Sequence, residues 1–342
     1  MGLPEVGAFN SRTSGGAVMS ALLVTVDTEG DDIWRHLFAE TTNNSTYIPR
    51  FQNLCERFGI RPTYLVNHEM ALCPKFRNFG KSILTRDVAE IGMHLHAWST
   101  PPVFGPLDTQ KNFAPFLVEY PTDVMHHKIA FMTNLLQDTF GEKMTSHRSG
   151  RWVLNEVYAQ ALVTHGYNAD CSVTPNVVWR EQRSEHANFV GVDYRNFPRF
   201  PYFMDLTDIS KKGGSDLLQI PVTIRETMPG FLKRSQEKWP ANSIATKLTR
   251  RIWPTHWMRP HIGNIRSLIE TISIAEHEQW PCVSFMLHSS ELMPGGSPYF
   301  PNEEAIEQLY RDLQLLFSIT SKKFHGQTIS EYREAATENR SS

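Results

Sequence analysis

Two histidines separated by a single residue, His94 and His96, lie in the run EIGMHLHAW. If that run is a strand, residues i and i+2 share a face, so both imidazoles can reach one cation. Asp27 and Glu29 end the apolar run ALLVTV with the same two-residue step, and either can add a carboxylate to the pair. Two imidazoles and a carboxylate are a donor set for a hydrolytic metal, because three protein ligands leave one position open. Asp31 and Asp32 stand nearby, but acids at a strand exit are more often turn caps.

Other ionisable residues fall at similar places. His147 and Arg148 end MTSHR, Asp170 and Ser172 fall in NADCSV, and His288 ends PCVSFMLH. In parallel α/β folds the active site forms where strands end at their C-terminal edge. Five strand ends that each carry such groups therefore point to one rim. Arg148 and Asp170 have a plain alternative as a salt bridge between strand ends. His147 is adjacent to Arg148, so it should face the other side of the sheet and act structurally. His126 and His127 are neighbours on a predicted helix, where adjacent side chains diverge, and so make no site.

The elements needed to position these residues are legible as periodicity. ALLVTVD is a continuous apolar run suited to a strand buried on both faces. IPRFQNLCERFG carries Ile48, Phe51, Leu54, Cys55 and Phe58 at helical spacing, with Gly59 as its stop. PTYLVN and AEIGMHLHAW read as the next strands. TDVMHHKIAFMTNLLQDTFG reads as a long helix, and MTSHR as a short strand. NEVYAQALVTHGY is a helix with Asn155 as N-cap and Gly166 as stop. NADCSV, LLQIPVTI and PCVSFMLH complete the strands, and helices follow near 303–320 and 328–336. About seven strands alternating with helices imply parallel pairing, in a barrel or an open doubly wound sheet. Residues 176–212 and 229–262 break the rhythm and read as loop-like insertions in one α/β domain spanning 20–336. Residues 1–19 read as a loose leader and 337–342 as a tail.

Composition narrows the function. The chain has 342 residues, 40% hydrophobic and 20% charged, with a formal charge of -2. That is a globular composition with no general basic field, so nucleic acid is not an expected partner. The four cysteines, Cys55, Cys73, Cys171 and Cys282, are far apart, which excludes a disulfide scaffold or thiolate zinc site and suggests a reducing compartment. No run approaches a membrane span, and the N-terminal segment lacks the basic start of a secretory signal, so a cytoplasmic location is expected. One segment stands out against the near-zero charge. Residues 229–262 hold Lys233, Arg234, Lys238, Lys247, Arg250, Arg251 and Arg259 beside Trp239, Trp253 and Trp257. Its plain reading is a solvated lid packed on the barrel. Its sharper reading is peripheral contact with anionic lipid or with the diphosphate carrier of a sugar.

Taken together, LLVTVDTEG, EIGMHLHAW, SHRSGRW, DCSVTP and FMLH resemble, in order, the five motifs of the polysaccharide deacetylase superfamily. This is the NodB-homology, carbohydrate esterase family 4-like group, and the likeness is nearest to its O-antigen and surface-polysaccharide branch. Two positions depart from its usual pattern. Thr28 stands in place of the second aspartate of the first motif, which makes Glu29 the metal carboxylate. Trp98 stands where the second histidine usually lies, so His96 substitutes for it. The resemblance implies a distorted (β/α)7 barrel that removes an N-acyl group, acetyl or formyl, from an amino sugar, free or linked to a lipid or nucleotide. Glu29, His94 and His96 would hold a divalent ion, zinc first, with nickel, cobalt and manganese as alternatives. Asp27 would be the base, Arg148 would keep it ionised, His288 would be the acid, and Asp170 would orient His288. Trp98 and Trp152 would line the sugar site, or else belong to the barrel core. Two other functions stay open: a hydrolase of non-sugar linear or cyclic amides, including one without metal, and an inactive carbohydrate-binding barrel.

Overall fold

The computed structural model describes residues 20–31, 34, 41–103, 115–179, 191–229, 248, 249 and 252–341. The strands in chain order are β1 (Ser20–Thr28), β2 (Thr63–Val66), β3 (Glu90–Leu95), β4 (Ser146–Ser149), β5 (Ala169–Asp170), β6 (Tyr202–Asp205), β7 (Asp208–Lys212), β8 (Leu218–Gln219), β9 (Ile224–Glu226), β10 (Thr255–Trp257), β11 (Cys282–His288) and β12 (Phe324–Gln327). The helices are α1 (Ile48–Arg57), α2 (His68–Leu72), α3 (Pro74–Thr85), α4 (Thr122–Phe140), α5 (Glu156–Thr164), α6 (Ile265–His277), α7 (Glu303–Thr320) and α8 (Ile329–Ser341).

Seven strands run parallel in the order β11-β1-β2-β3-β4-β5-β8. β12 borders the first half of β1, from Ser20 to Leu23, and β2 borders its second half, from Thr25 to Thr28. The two ends of this curled sheet are bridged by irregular chain. After β8, the Ile220 amide donates to Asp170 O (2.8 Å) and the Val222 amide to Val173 O (3.1 Å), both still beside β5. Thr223 then crosses to β11: its amide donates to Ser284 O at 3.1 Å, and its hydroxyl accepts from the Ser284 amide at 2.9 Å. Met258 extends the bridge, donating to Thr223 O and accepting from the Met286 amide. The result is a barrel closed by single hydrogen bonds where a regular ladder would otherwise run.

Residue parity divides the barrel's two faces. Leu22, Val24 and Val26 of β1 join the large core beneath the helices, with Val283, Phe285 and Leu287 of β11. Ala21, Leu23 and Cys282 face inward and pack with Ile329, Tyr332 and Ala336 of α8, which plugs the N-terminal end of the barrel. Thr25 and Asp27 continue the inward parity toward the other end, so apolar residues fill the bottom and polar ones the mouth.

Local signals account for most elements. Gly59, Gly141 and Gly166 follow α1, α4 and α5 with φ of +65°, +77° and +86°, a region other residues enter only with strain. Asn155 caps α5 by accepting from the Tyr158 amide at 2.9 Å. Four features differ from the sequence reading. Residues 202–212 are the hairpin β6–β7, with β6 antiparallel to β8 and an Asp205 side-chain turn to the Thr207 amide. Within 229–262, β10 pairs antiparallel with β9. The last helix runs on to Ser341. Helices α2, α3 and α6 and strand β12 occupy stretches where no element was expected. Among the described residues, no helix is long and apolar enough to cross a membrane. Residues 230–247, 250 and 251, with most of the basic segment, lie outside the described residues.

Candidate active site

The register of β1 against β11 sets Asp27 opposite His288, and that of β3 against β4 sets His94 opposite Arg148. All four have inward parity at the mouth. Glu29 leaves β1 two residues after Asp27, on the same side, and both polar groups of its backbone are tied down. Its amide donates to Ser289 Oγ (3.1 Å), and its carbonyl accepts from Asn44 Nδ2 (2.8 Å). Asn44 is held in turn by Asp31, which accepts from four donors of residues 41–44. Asp31 is therefore a loop anchor, and Asp32 lies outside the described residues.

Glu29, His94 and His96 converge. Glu29 Oε2 lies 3.0 Å from His96 Nε2 and 3.4 Å from His94 Nε2, and the two imidazole nitrogens are 3.0 Å apart. A tetrahedral ion with ligand bonds of about 2.0–2.1 Å sets its donors roughly 3.3 Å apart, so these three contacts match three donors of such a site. His94 Nδ1 lies 3.0 Å from the Arg148 carbonyl, which can only accept; its proton is therefore on Nδ1, and Nε2 offers a lone pair to the centre. Glu29 Oε1 is buried with no hydrogen-bond partner. Burial opposes the ionised form of Glu29, yet His288, His94 and His96 hold its carboxyl well below the usual carboxylate range. Burial likewise opposes a charged His94, and Asp27 and Glu29 overcome it and raise its pKa. A site whose field favours positive charge, with facing lone pairs and an orphaned carboxylate oxygen, fits a divalent cation.

Asp27 is paired with Arg148 through Oδ1, while Oδ2 faces His288 Nε2 at 3.7 Å. Arg148 is fully buried and uses its other donors on Thr25 Oγ1 (2.9 Å) and the Cys171 carbonyl (3.0 Å). Burial works against the Asp27 carboxylate, but Arg148, then His94 and His288, keep its pKa below normal. The Arg148–Asp170 pairing weighed from sequence does not form, and Arg148 holds Asp27.

Asp170 does not reach His288. It has outward parity on β5, behind the sheet, where Oδ2 meets His147 Nδ1 at 2.7 Å and Ser172 Oγ at 2.8 Å. His147 completes the network through Nε2 to the Tyr158 hydroxyl on α5, 2.8 Å away. These buried groups lock β4 to β5 and α5, which fixes Arg148 from behind. Asp170→Ala is expected to destabilise the fold by at least about 2 kcal/mol, since each buried donor left unpaired costs about 1–3 kcal/mol. Denaturant melts check this, and wild-type stability in the variant would refute it.

Trp98 and Trp152 have different surroundings. Trp98 stacks on His96, with centroids 4.3 Å apart and a 22° tilt, and the Arg151 guanidinium lies over its ring at 5.4 Å. It backs His96. Gly150 closes in from another side, since a Cβ there would lie 2.7 Å from His96 Cδ2 and 2.7 Å from the Leu95 carbonyl. Gly150→Ala is therefore expected to displace His96 and weaken metal binding about 10–100-fold, the usual size of a supporting-shell effect. Calorimetric titration with zinc checks it, and unchanged affinity would show that the ring tolerates the methyl. Trp152 lies against Trp179 and Trp257 at 6.4 and 6.1 Å and lines a cleft with them, Arg259, His261 and Tyr299.

Four residues at the mouth were not singled out from sequence as part of the site. Trp34 sets its ring 4.9 Å from His288 and donates to Ser290 Oγ at 3.1 Å. Glu291 and Arg259 contact His288, and Tyr299 packs against Trp34 and Arg259. Glu291 stood one helical turn beyond the His288 motif, a spacing that could have exposed it. Nothing in the sequence tied Arg259 to His288.

No family model matches the sequence, and no curated protein matches it. Solved structures do match. A Mycobacterium smegmatis protein provisionally named a polysaccharide deacetylase aligns over 97% of this chain and 96% of its own, at 13% identity and a TM-score of 0.51. A Parabacteroides distasonis protein provisionally named a glycoside hydrolase/deacetylase aligns over 93% of this chain and 71% of its own, at 10% identity and a TM-score of 0.59. The 4-alpha-glucanotransferase of Thermococcus litoralis aligns over 92% of this chain but 40% of its own, at 13% identity and a TM-score of 0.51. These likenesses bear out the fold, the distorted (β/α)7 barrel of polysaccharide deacetylases. Because a glucanotransferase shares it, the reaction has to be argued from the site.

Proposed function

We propose that this chain is a metal-dependent hydrolase that removes an N-acyl group from an amino sugar. The observation that carries the reading is the convergence of Glu29, His94 and His96, with the Asp27–Arg148 pair and His288 beside them. A divalent ion held by those three residues would polarise the acyl carbonyl and acidify the attacking water. Asp27 Oδ2, left uncommitted by Arg148, takes a proton from the water as its oxygen bonds to the acyl carbon. The protonated Asp27 returns that proton to the amine nitrogen as the C–N bond breaks, which restores the carboxylate. His288, whose Nδ1 faces the Arg259 guanidinium at 3.0 Å, carries its proton on Nε2 and donates a hydrogen bond to the reacting group from there, 3.7 Å from Asp27 Oδ2. The aromatic cleft that includes Trp152 supports a sugar, whose apolar ring faces stack on such surfaces.

Acetyl is the expected acyl group and zinc the expected ion, with surface-polysaccharide assembly in the cytoplasm as the setting. The basic segment would then contact a phosphate-bearing carrier, so replacing Arg250 and Arg251 with Ser should raise KM for a carrier-linked sugar and spare a free one. The decisive assay is acetate release from N-acetyl amino sugars, free and nucleotide-linked, with the protein stripped of metal and reloaded. Metal-dependent release supports the reading. Release only from small non-sugar amides, or none from a metal-loaded protein, would sink it in favour of an amide hydrolase or an inactive binding barrel.

A further inference from the structure

His288 is gripped from behind by two residues outside the motif pattern. Arg259 Nη2 lies 3.0 Å from His288 Nδ1 and 2.9 Å from Glu291 Oε1. Glu291 Oε2 accepts from the His288 backbone amide at 2.7 Å and stands 3.4 Å from Nδ1. Glu291 is fully buried, and Arg259 is its charge partner. A guanidinium can only donate, so Nδ1 accepts and the ring proton sits on Nε2, which points at Asp27 and Glu29. Arg259 is itself held between aromatic faces, 5.0 Å from the Trp34 ring centre and 5.3 Å from that of Tyr299. Asp170, the residue the motif resemblance assigned to this task, is on the other face of the sheet, bonded to His147.

We propose that Arg259 and Glu291 form the positioning pair for His288, fixing its ring orientation and its tautomer. Arg259 reaches the site just after β10, so the inserted segment supplies part of the catalytic geometry. The inference rests on the acyl-hydrolase reading for its kinetic test only.

The test compares Arg259→Gln, Arg259→Lys, Glu291→Gln and the double variant with Asp170→Asn, measuring kcat, KM and bound zinc. Misplacing a reacting group by about 1 Å can cost about 100-fold. Arg259→Gln and Glu291→Gln should accordingly lose about 10–100-fold in kcat, with zinc content nearly unchanged and, for Glu291→Gln, which lies outside the sugar cleft, KM nearly unchanged as well. The double variant should be little worse than either single one, because the two residues act on one ring. Arg259→Lys, which keeps one donor, should recover part of the loss, and added guanidinium should partly rescue Arg259→Ala. If Glu291→Gln does not fold, the Arg259 series carries the comparison. Full kcat in the Arg259 variants, or a selective kcat loss confined to Asp170→Asn, would overturn the assignment. Should the wild-type protein release no acyl group at all, the functional reading fails separately. The pair is then read from the 15N signals of the His288 ring: an accepting Nδ1 in wild type that is lost in Arg259→Gln supports it, and identical signals in the two proteins refute it.

Discussion

Asp27→Asn is expected to retain bound metal and lose turnover by about 100- to 10,000-fold, the range for removal of a general base. The structure separates Asp27 from the three converging donors. Its Oδ1 is committed to Arg148, and Oδ2 faces His288, whereas Glu29 Oε2 is the oxygen that meets both imidazoles. An amide at position 27 keeps the shape and an acceptor for Arg148 but cannot take a proton. It also leaves the buried guanidinium without its countercharge, and removing one partner of a buried ion pair costs about 3–5 kcal/mol. A lower melting temperature should therefore accompany the lost activity. Zinc content and single-turnover acetate release separate the two effects. An Asp27→Asn protein that sheds its metal, beside a Glu29→Gln protein that stays active, would reverse the two roles.

The metal site should be more sensitive still. His94→Ala or His96→Ala removes one of three protein donors, so affinity should fall by more than the roughly 10–100-fold typical of supporting residues, and hydrolysis should stop. Glu29→Gln should weaken binding in the same direction, because a neutral amide replaces the only carboxylate in the triad. Elemental analysis of proteins purified in parallel gives the occupancy, and zinc added back to chelated wild-type enzyme should restore activity. Full occupancy and activity in both histidine variants would exclude these residues as ligands.

The amino-acid sequence by itself determined the rim. Strand parity alone set Asp27 with Glu29 and His94 with His96, and it correctly turned His147 away from Arg148. The same rule, applied to β5, would have turned Asp170 outward, because Ala169 and Cys171 have the inward parity there. The glycines after α1 and α5 and the Asn155 cap were legible because they act within a few residues. The hairpin β6–β7 was not, since its strands are short and its turn is built by Asp205 without glycine. Helix α3 was obscured by Gly80, which breaks the apolar pattern. That glycine is required by packing: a Cβ there would come within 2.4 Å of Phe140 on α4. Two facts belong to tertiary structure alone: Thr223 and Met258 close the barrel onto β11, and Arg259 reaches His288. Each joins residues distant in sequence through contacts that no local period encodes, and only the curl of the sheet, which brings its two ends together, decides which of them meet.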